Sequence, residues 1–178
     1  MSDKQKEKSE KELAAIRAWF ALIQDKLGKR AELRRCETLQ DVYFCQGFHD
    51  LLLFLSNARQ NAETDSKDSG FSKHKLDRLA LLAGTLAIMP HWMETKDSMG
   101  KAFANPGGSA MSLSPLRFRR LLTCTEPAEL LSPLRRATRV IKFQYSANSL
   151  SKSLLFWNDT TRKNWALDYY QNLKQEKK

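Results

Sequence analysis

Leu13-Ala14-Ala15-Ile16-Arg17-Ala18-Trp19-Phe20-Ala21-Leu22-Ile23-Gln24-Asp25-Lys26-Leu27-Gly28 sets large apolar side chains at 13, 16, 20, 23 and 27. Steps of three and four gather them on one face of a helix, and Gly28 is placed to cap its C-terminus. The same period recurs along the rest of the chain, and no segment alternates with the period of two that a strand needs. A second helix is expected from Thr38, with Asp41 in its first turn, through Val42, Cys45, Phe48, Leu52 and Leu55. A third follows Ser72 as N-cap, carries Leu76, Leu79, Ala83, Leu86 and Ala87, and stops at Pro90. Between these two, Asn57–Gly70 is polar and reads as a loop.

Further along, Asn105–Ser114 breaks the helical pattern with Pro, Gly and Ser. Ser114-Pro115 pairs an N-cap with proline at the first helical position, Ser132-Pro133 repeats that signature, and Glu126-Pro127 is a weaker version of it. Leu150, Leu154 and Trp157 then share one face, and Trp165, Tyr169 and Leu173 another. The fold class expected is all-α, a two-lobed bundle of about eight helices. Its parts are a charged extension over 1–12, an N-terminal lobe over 13–104, a linker over 105–113 and a C-terminal lobe over 114–178.

A chain of 178 residues with 42% hydrophobic side chains, four Trp and nine Phe is long and apolar enough to bury a core, which excludes a wholly disordered basic chain. No apolar run approaches the roughly 18 residues of a membrane span. Met1–Glu12 alternates lysines with acids and lacks the pattern of a signal peptide, so a cytoplasmic protein is expected. Cys36, Cys45 and Cys124 are odd in number and contain no CxxC pair, so reduced, mostly buried thiols are expected.

Thirty Lys and Arg against 20 Asp and Glu leave a net charge of +10, and two segments hold all of the excess. Arg17–Arg35 contributes six bases against two acids, and Lys101–Lys142 eight against two. Apart from the two ends, the bases of the second segment are arginines, whose rigid fork matches phosphate oxygens two at a time. On a helix starting after Pro133, the residues Leu134, Ala137, Thr138, Ile141 and Tyr145 define a core face. Arg135, Arg139 and Lys142 fall together about 100° away as a basic stripe. Arg117 and Arg120, spaced i, i+3 on a neighbouring helix, add to it with almost no local carboxylates. A phosphate-tracking ridge and an ordinary solvated face both fit this pattern.

Catalytic and metal-binding signatures are missing. His49, His74 and His91 stand apart from each other and from other ligand types, so no metal or cofactor is expected. No nucleophile motif or carboxylate dyad stands out, and Gly107-Gly108-Ser109 lacks the lysine of a phosphate cradle, so no enzyme is expected either.

A resemblance runs from Arg17 to Tyr170. The pieces, in order, are Arg17-Ala18-Trp19; Gly28 followed by Arg30-Ala31-Glu32-Leu33-Arg34-Arg35; Ser98-Met99-Gly100-Lys101-Ala102-Phe103-Ala104; Arg117-Phe118-Arg119-Arg120-Leu121-Leu122; Leu134-Arg135-Arg136; and Leu150, Leu154 and Trp157 with Trp165-Ala166-Leu167-Asp168-Tyr169-Tyr170. Together they resemble the CasB small subunit of the type I-E CRISPR Cascade complex. The resemblance implies an all-helical, two-lobed, non-catalytic subunit, present in two copies beside the other Cascade subunits, the guide RNA and the target DNA. Small subunits of this kind hold the target strand and the displaced strand and so stabilise the R-loop. Carried over by motif, the nucleic-acid contacts implied are Arg34, Arg35, Lys101, Arg117, Arg119, Arg120, Arg135, Arg136 and Arg139, and the stripe adds Lys142. Lys101 stands where an Arg is common, and Ser153 where an acidic residue is expected.

Two other classes fit the composition. One is a free-standing basic helical DNA-binding protein, although the arginine-rich helices lack the Asn, Gln and Ser mix that reads base edges. The other is an assembly protein whose basic face meets an acidic protein partner.

Overall fold

The computed structural model describes residues 3–60, 70–107 and 110–173. The stripe at 13, 16, 20 and 23 becomes the buried face of α1 (Asp3–Asp25), where Ile16, Trp19 and Ile23 are fully buried. The chain turns at Lys26, and α2 (Leu27–Arg35) starts at once, so Gly28 lies inside α2 instead of capping α1, and Leu27 is exposed. The next helix begins after Thr38 as expected, and Thr38 caps it, its hydroxyl accepting from the Asp41 N–H while the Asp41 carboxylate accepts from the N–H groups of Thr38 and Glu37. Those donors hold the Asp41 carboxyl below its ordinary pKa. This helix divides at Phe44 and Cys45 into α3 (Leu39–Tyr43) and α4 (Gln46–Gln60). The expected loop over 57–70 therefore starts later, and its residues 61–69 lie outside the described residues.

Ser72 caps α5 (Lys73–Leu86) by accepting from the Lys75 N–H, and every residue of α5 from Leu79 to Leu86 is buried. Such a helix, apolar on all sides, is a central one. After it come α6 (Met99–Ala104), α7 (Pro115–Thr123), α8 (Pro127–Val140), α9 (Ala147–Leu155) and α10 (Asp159–Asn172), of which α8 and α9 pack on α5. Ser114-Pro115 opens α7 as expected. For α8 the order of the two signals reverses, since Pro127 starts the helix and Pro133 lies inside it. A proline at 133 removes the N–H that would bond the Glu129 carbonyl; the Cys124 Sγ lies 3.6 Å from that carbonyl and 3.4 Å from the Arg120 carbonyl.

The described residues thus form ten helices and no strand, an all-α fold. One apolar cluster links helices from both sides of the 105–113 segment, because α5 packs on α8 and α9, and α6 on α10. A partly buried ion cluster joins α1, α4 and α5, with the Glu12 carboxylate 3.2 Å from the Lys75 ammonium and 3.4 Å from Arg59. Arg59 also lies over the Phe71 ring, 4.2 Å from its centroid.

The tightest helix contact is α6 on α10. A Cβ at Gly100 would meet the Trp165 carbonyl oxygen and come within 2.7 Å of the Asp168 Cβ, so only glycine lets the two backbones approach this closely. Gly100→Ala should gain about 1 kcal/mol of helix propensity. It should nevertheless be destabilised overall, because overpacking against backbone costs about 1–3 kcal/mol and here no side chain can swing away. A thermal melt of this variant is expected to show a lower midpoint than the parent.

Candidate nucleic-acid interface

The arginines divide into two populations according to where their guanidinium groups point. Arg117, Arg119 and Arg120 are exposed on α7, Arg136 and Arg139 on α8, and Arg34 and Arg35 in the last turn of α2. Among the described residues none of these seven has a carboxylate partner. Arg136 bonds only back to the Ser132 carbonyl of its own helix, at 3.4 Å. Elsewhere on the protein, by contrast, Arg17 pairs with Glu94, Lys29 with Asp50, and Lys75 with Glu12. Lys101 lies on α6, half-exposed and bonded to Asp97 at 2.6 Å.

Arg135 belongs to the other population and corrects the expected stripe. Its side chain is buried, with 6% of the residue exposed. The guanidinium donates to Gly84 O from Nε (2.9 Å) and Nη2 (2.6 Å), to Leu33 O from Nη2 (2.7 Å), and to Cys36 O from Nη1. Leu33 lies in the last turn of α2, Cys36 is its C-cap, and Gly84 lies in the last turn of α5. Two helix C-termini thus direct their partial negative charge at one cation. Their carbonyls take the place of a carboxylate partner, which is how a charge is kept in the core. Burial lowers the pKa of Arg135, and Arg139 one turn away adds repulsion; a guanidinium stays protonated regardless. Gly84 leaves room here, because a Cβ at that position would sit 3.2 Å from the Arg135 Nη2 and 2.9 Å from the Leu131 side chain, which would have to shift.

Lys142 also departs from the stripe. Helix α8 ends at Val140, and Lys142 and Phe143 follow with φ of 49° and 59°. The Lys142 N–H bonds Arg139 O at 3.0 Å and the Phe143 N–H bonds Thr138 O at 2.9 Å. This is a Schellman close built without glycine, and it turns Lys142 out of helical register with Arg139.

Sequence reasoning placed Arg135 wrongly because it started the helix at Pro133. With the start at Pro127, Leu131 joins the core face only about 40° from Arg135, at 100° per residue, and carries that face as far as the arginine. Three further carbonyl-binding arginines were missed. Arg30 bonds Ala87 O and Met89 O after α5, Arg78 bonds Leu155 O and Trp157 O at the end of α9, and Arg162 bonds Leu122 O near the end of α7. No sequence spacing marks them, since the carbonyls they reach lie between 40 and 79 residues away.

Cys36, Cys45 and Cys124 are free thiols, the first two buried with their Sγ atoms 3.3 Å apart. Burial, with Cys36 beside it, pushes the Cys45 thiol up to about 12, the opposite of what a reactive thiolate requires. Among the described residues no group of three His, Cys, Asp or Glu is placed to hold a metal, and no helix is long and apolar enough to cross a membrane.

The model of the family described as CRISPR-associated protein Cse2 matches residues 29–170, most of the chain. The chain belongs to the Cse2 family. Cse2 is the CasB small subunit of type I-E Cascade, so the expected resemblance holds and the chain is a subunit of a CRISPR Cascade complex, in a family of structural subunits. Neither the search of curated proteins nor that of solved structures gave a match. In this Cse2 chain the helix that opens the fold, α1, precedes the matched region, whereas Arg135 and the seven exposed arginines lie within it.

The two populations of arginine should separate cleanly in stability measurements. Arg135→Met should cost about 2–4 kcal/mol, since it leaves buried carbonyls of two helix ends without donors. Arg139→Ala, on the exposed side of the same helix, should stay within about 0.5 kcal/mol. Urea unfolding of the two variants checks both values.

Proposed function

We propose that this Cse2 chain is a non-catalytic subunit that holds nucleic-acid backbone with exposed arginines. In the assembled complex it contacts the target and displaced strands beside the guide RNA and a second copy of itself, and so prolongs the R-loop. The observation that carries this reading is the set of seven exposed arginines, Arg34, Arg35, Arg117, Arg119, Arg120, Arg136 and Arg139, without carboxylate partners among the described residues. Arginine is suited to the task because its fork grips phosphate oxygens in pairs, and phosphates are the sequence-independent part of any nucleic acid.

Arg135 links the two basic segments. By bonding Leu33 O and Cys36 O it ties α8 to the end of α2 that carries Arg34 and Arg35. Helix α7, with Arg117, Arg119 and Arg120, packs on α8 from its other neighbouring position in the chain. Lys101 joins only by giving up an exposed pair with Asp97, at a cost of about 1 kcal/mol or less.

This role needs no chemistry. In RNA-guided recognition base pairing reads the sequence, and opening the duplex is a nearly balanced exchange that protein–backbone contacts tip. A few phosphate contacts are then enough to shift the lifetime of the open state.

The test is R-loop lifetime in the reconstituted complex carrying Arg117→Ala, Arg119→Ala and Arg139→Ala together. If each contacts a phosphate, the slope of log K against log salt should flatten by about 0.7–0.9 per residue, and all target sequences should weaken alike. An unchanged lifetime and slope, with the variant subunit fully incorporated, would show these arginines to be an ordinary solvated face.

A further inference from the structure

One exposed aromatic ring packs on α7 through Phe118, the residue between Arg117 and Arg119. Tyr170 on α10 is 50% exposed and rests on two other rings. It packs at right angles to Tyr169, with centroids 5.1 Å apart at 89°, and to Phe118, 6.3 Å apart at 80°. Both supports are fixed in turn. Tyr169 lies flat on Phe118 at 3.8 Å and 13°, and its hydroxyl donates to Leu113 O at 2.5 Å. Phe118 is fully buried between Arg117 and Arg119 in the chain, both exposed, with Arg120 following.

We propose that Tyr170 is a stacking platform for an unpaired base of a single nucleic-acid strand whose phosphates are held by Arg117 and Arg119. The inference rests on the backbone-binding role proposed above and adds to it the kind of strand bound at this end of the molecule. A base exposes a flat face that every sequence shares, and an aromatic ring held rigidly at the surface matches it without sequence preference. Arg117 and Arg119, which flank Phe118 in the chain, supply the phosphate contacts that hold the strand. A duplex keeps its bases stacked on each other and gains nothing from the ring. Charge favours a nucleic acid over a protein partner, since the helix beside Tyr170 carries three exposed arginines and no acid.

The test uses the full chain, a single-stranded oligothymidylate and a duplex of equal length, at several salt concentrations. Tyr170→Leu keeps apolar contact with Phe118 and Tyr169 but removes the flat face, and Tyr170→Trp keeps the face. Tyr170→Leu should weaken single-strand binding roughly 5- to 100-fold with the salt slope unchanged, should leave duplex binding as it was, and Tyr170→Trp should bind like the parent. Thermal melts establish that both variants are folded. Equal loss on both ligands, no loss on the single strand, or no single-strand binding by the parent chain overturns the platform. If Tyr170→Leu instead fails to enter the reconstituted complex while its single-strand affinity is intact, the patch is a protein contact and the proposal is wrong. The two readings fail separately: an unaltered salt slope in Arg117→Ala and Arg119→Ala removes the backbone role, whereas a flattened slope with an indifferent Tyr170→Leu removes only the platform.

Discussion

The Arg135 guanidinium is the contact on which the rest of the arrangement depends. It sits where the C-termini of α2 and α5 converge, and donates to carbonyls of both. Helix ends leave carbonyls without intrahelical partners, and two such ends pointing at each other inside a core would repel and remain unsatisfied. A single cation with a planar fork of donors removes both problems, and it does so from α8, which the same bonds lock against α2 and α5. Gly84 completes the device by leaving room for the guanidinium against the α5 backbone.

The same chemistry recurs at lower stakes around the molecule. Arg30, Arg78 and Arg162 each reach a carbonyl at or just beyond the end of another helix. Part of the positive charge of the chain is thus absorbed by its own backbone, as the complement of many short helices with many ends. The seven exposed arginines are the arginines left over, and exposed lysines such as Lys73, Lys152 and Lys163 add to the surface available to a polyanion.

At the other end of the molecule aromatic packing takes over from arginine. Phe103, Phe118, Trp157, Trp165 and Tyr169 form a chain of ring contacts that binds α6, α7 and α10, helped by the close approach at Gly100. Phe118 belongs to that core while its neighbours Arg117 and Arg119 face solvent. One short helix therefore serves stability with one face and the proposed binding surface with the other.

Local signals settled much of this in advance. Apolar residues at steps of three and four announced the helices, which start after Thr38, Ser72 and Ser114 where expected, because periodicity and helix-start signals act within a few residues. The residue order from Arg17 to Tyr170 was enough to place the chain among Cascade small subunits. Arg117 and Arg120 were legible because local acids are few, and Arg34, Arg35, Arg119, Arg136 and Arg139 were named from the family resemblance or the helical spacing; all seven are exposed. Only the tertiary structure decided the fate of Arg135 and Lys142. Arg135 is buried because two helix ends, from residues 33–36 and 84, meet it in space. Lys142 leaves the stripe because α8 closes at Val140 through a left-handed turn that no glycine announces. Periodicity tells which way a side chain points from its own helix; what it meets there depends on helices tens of residues away in the chain.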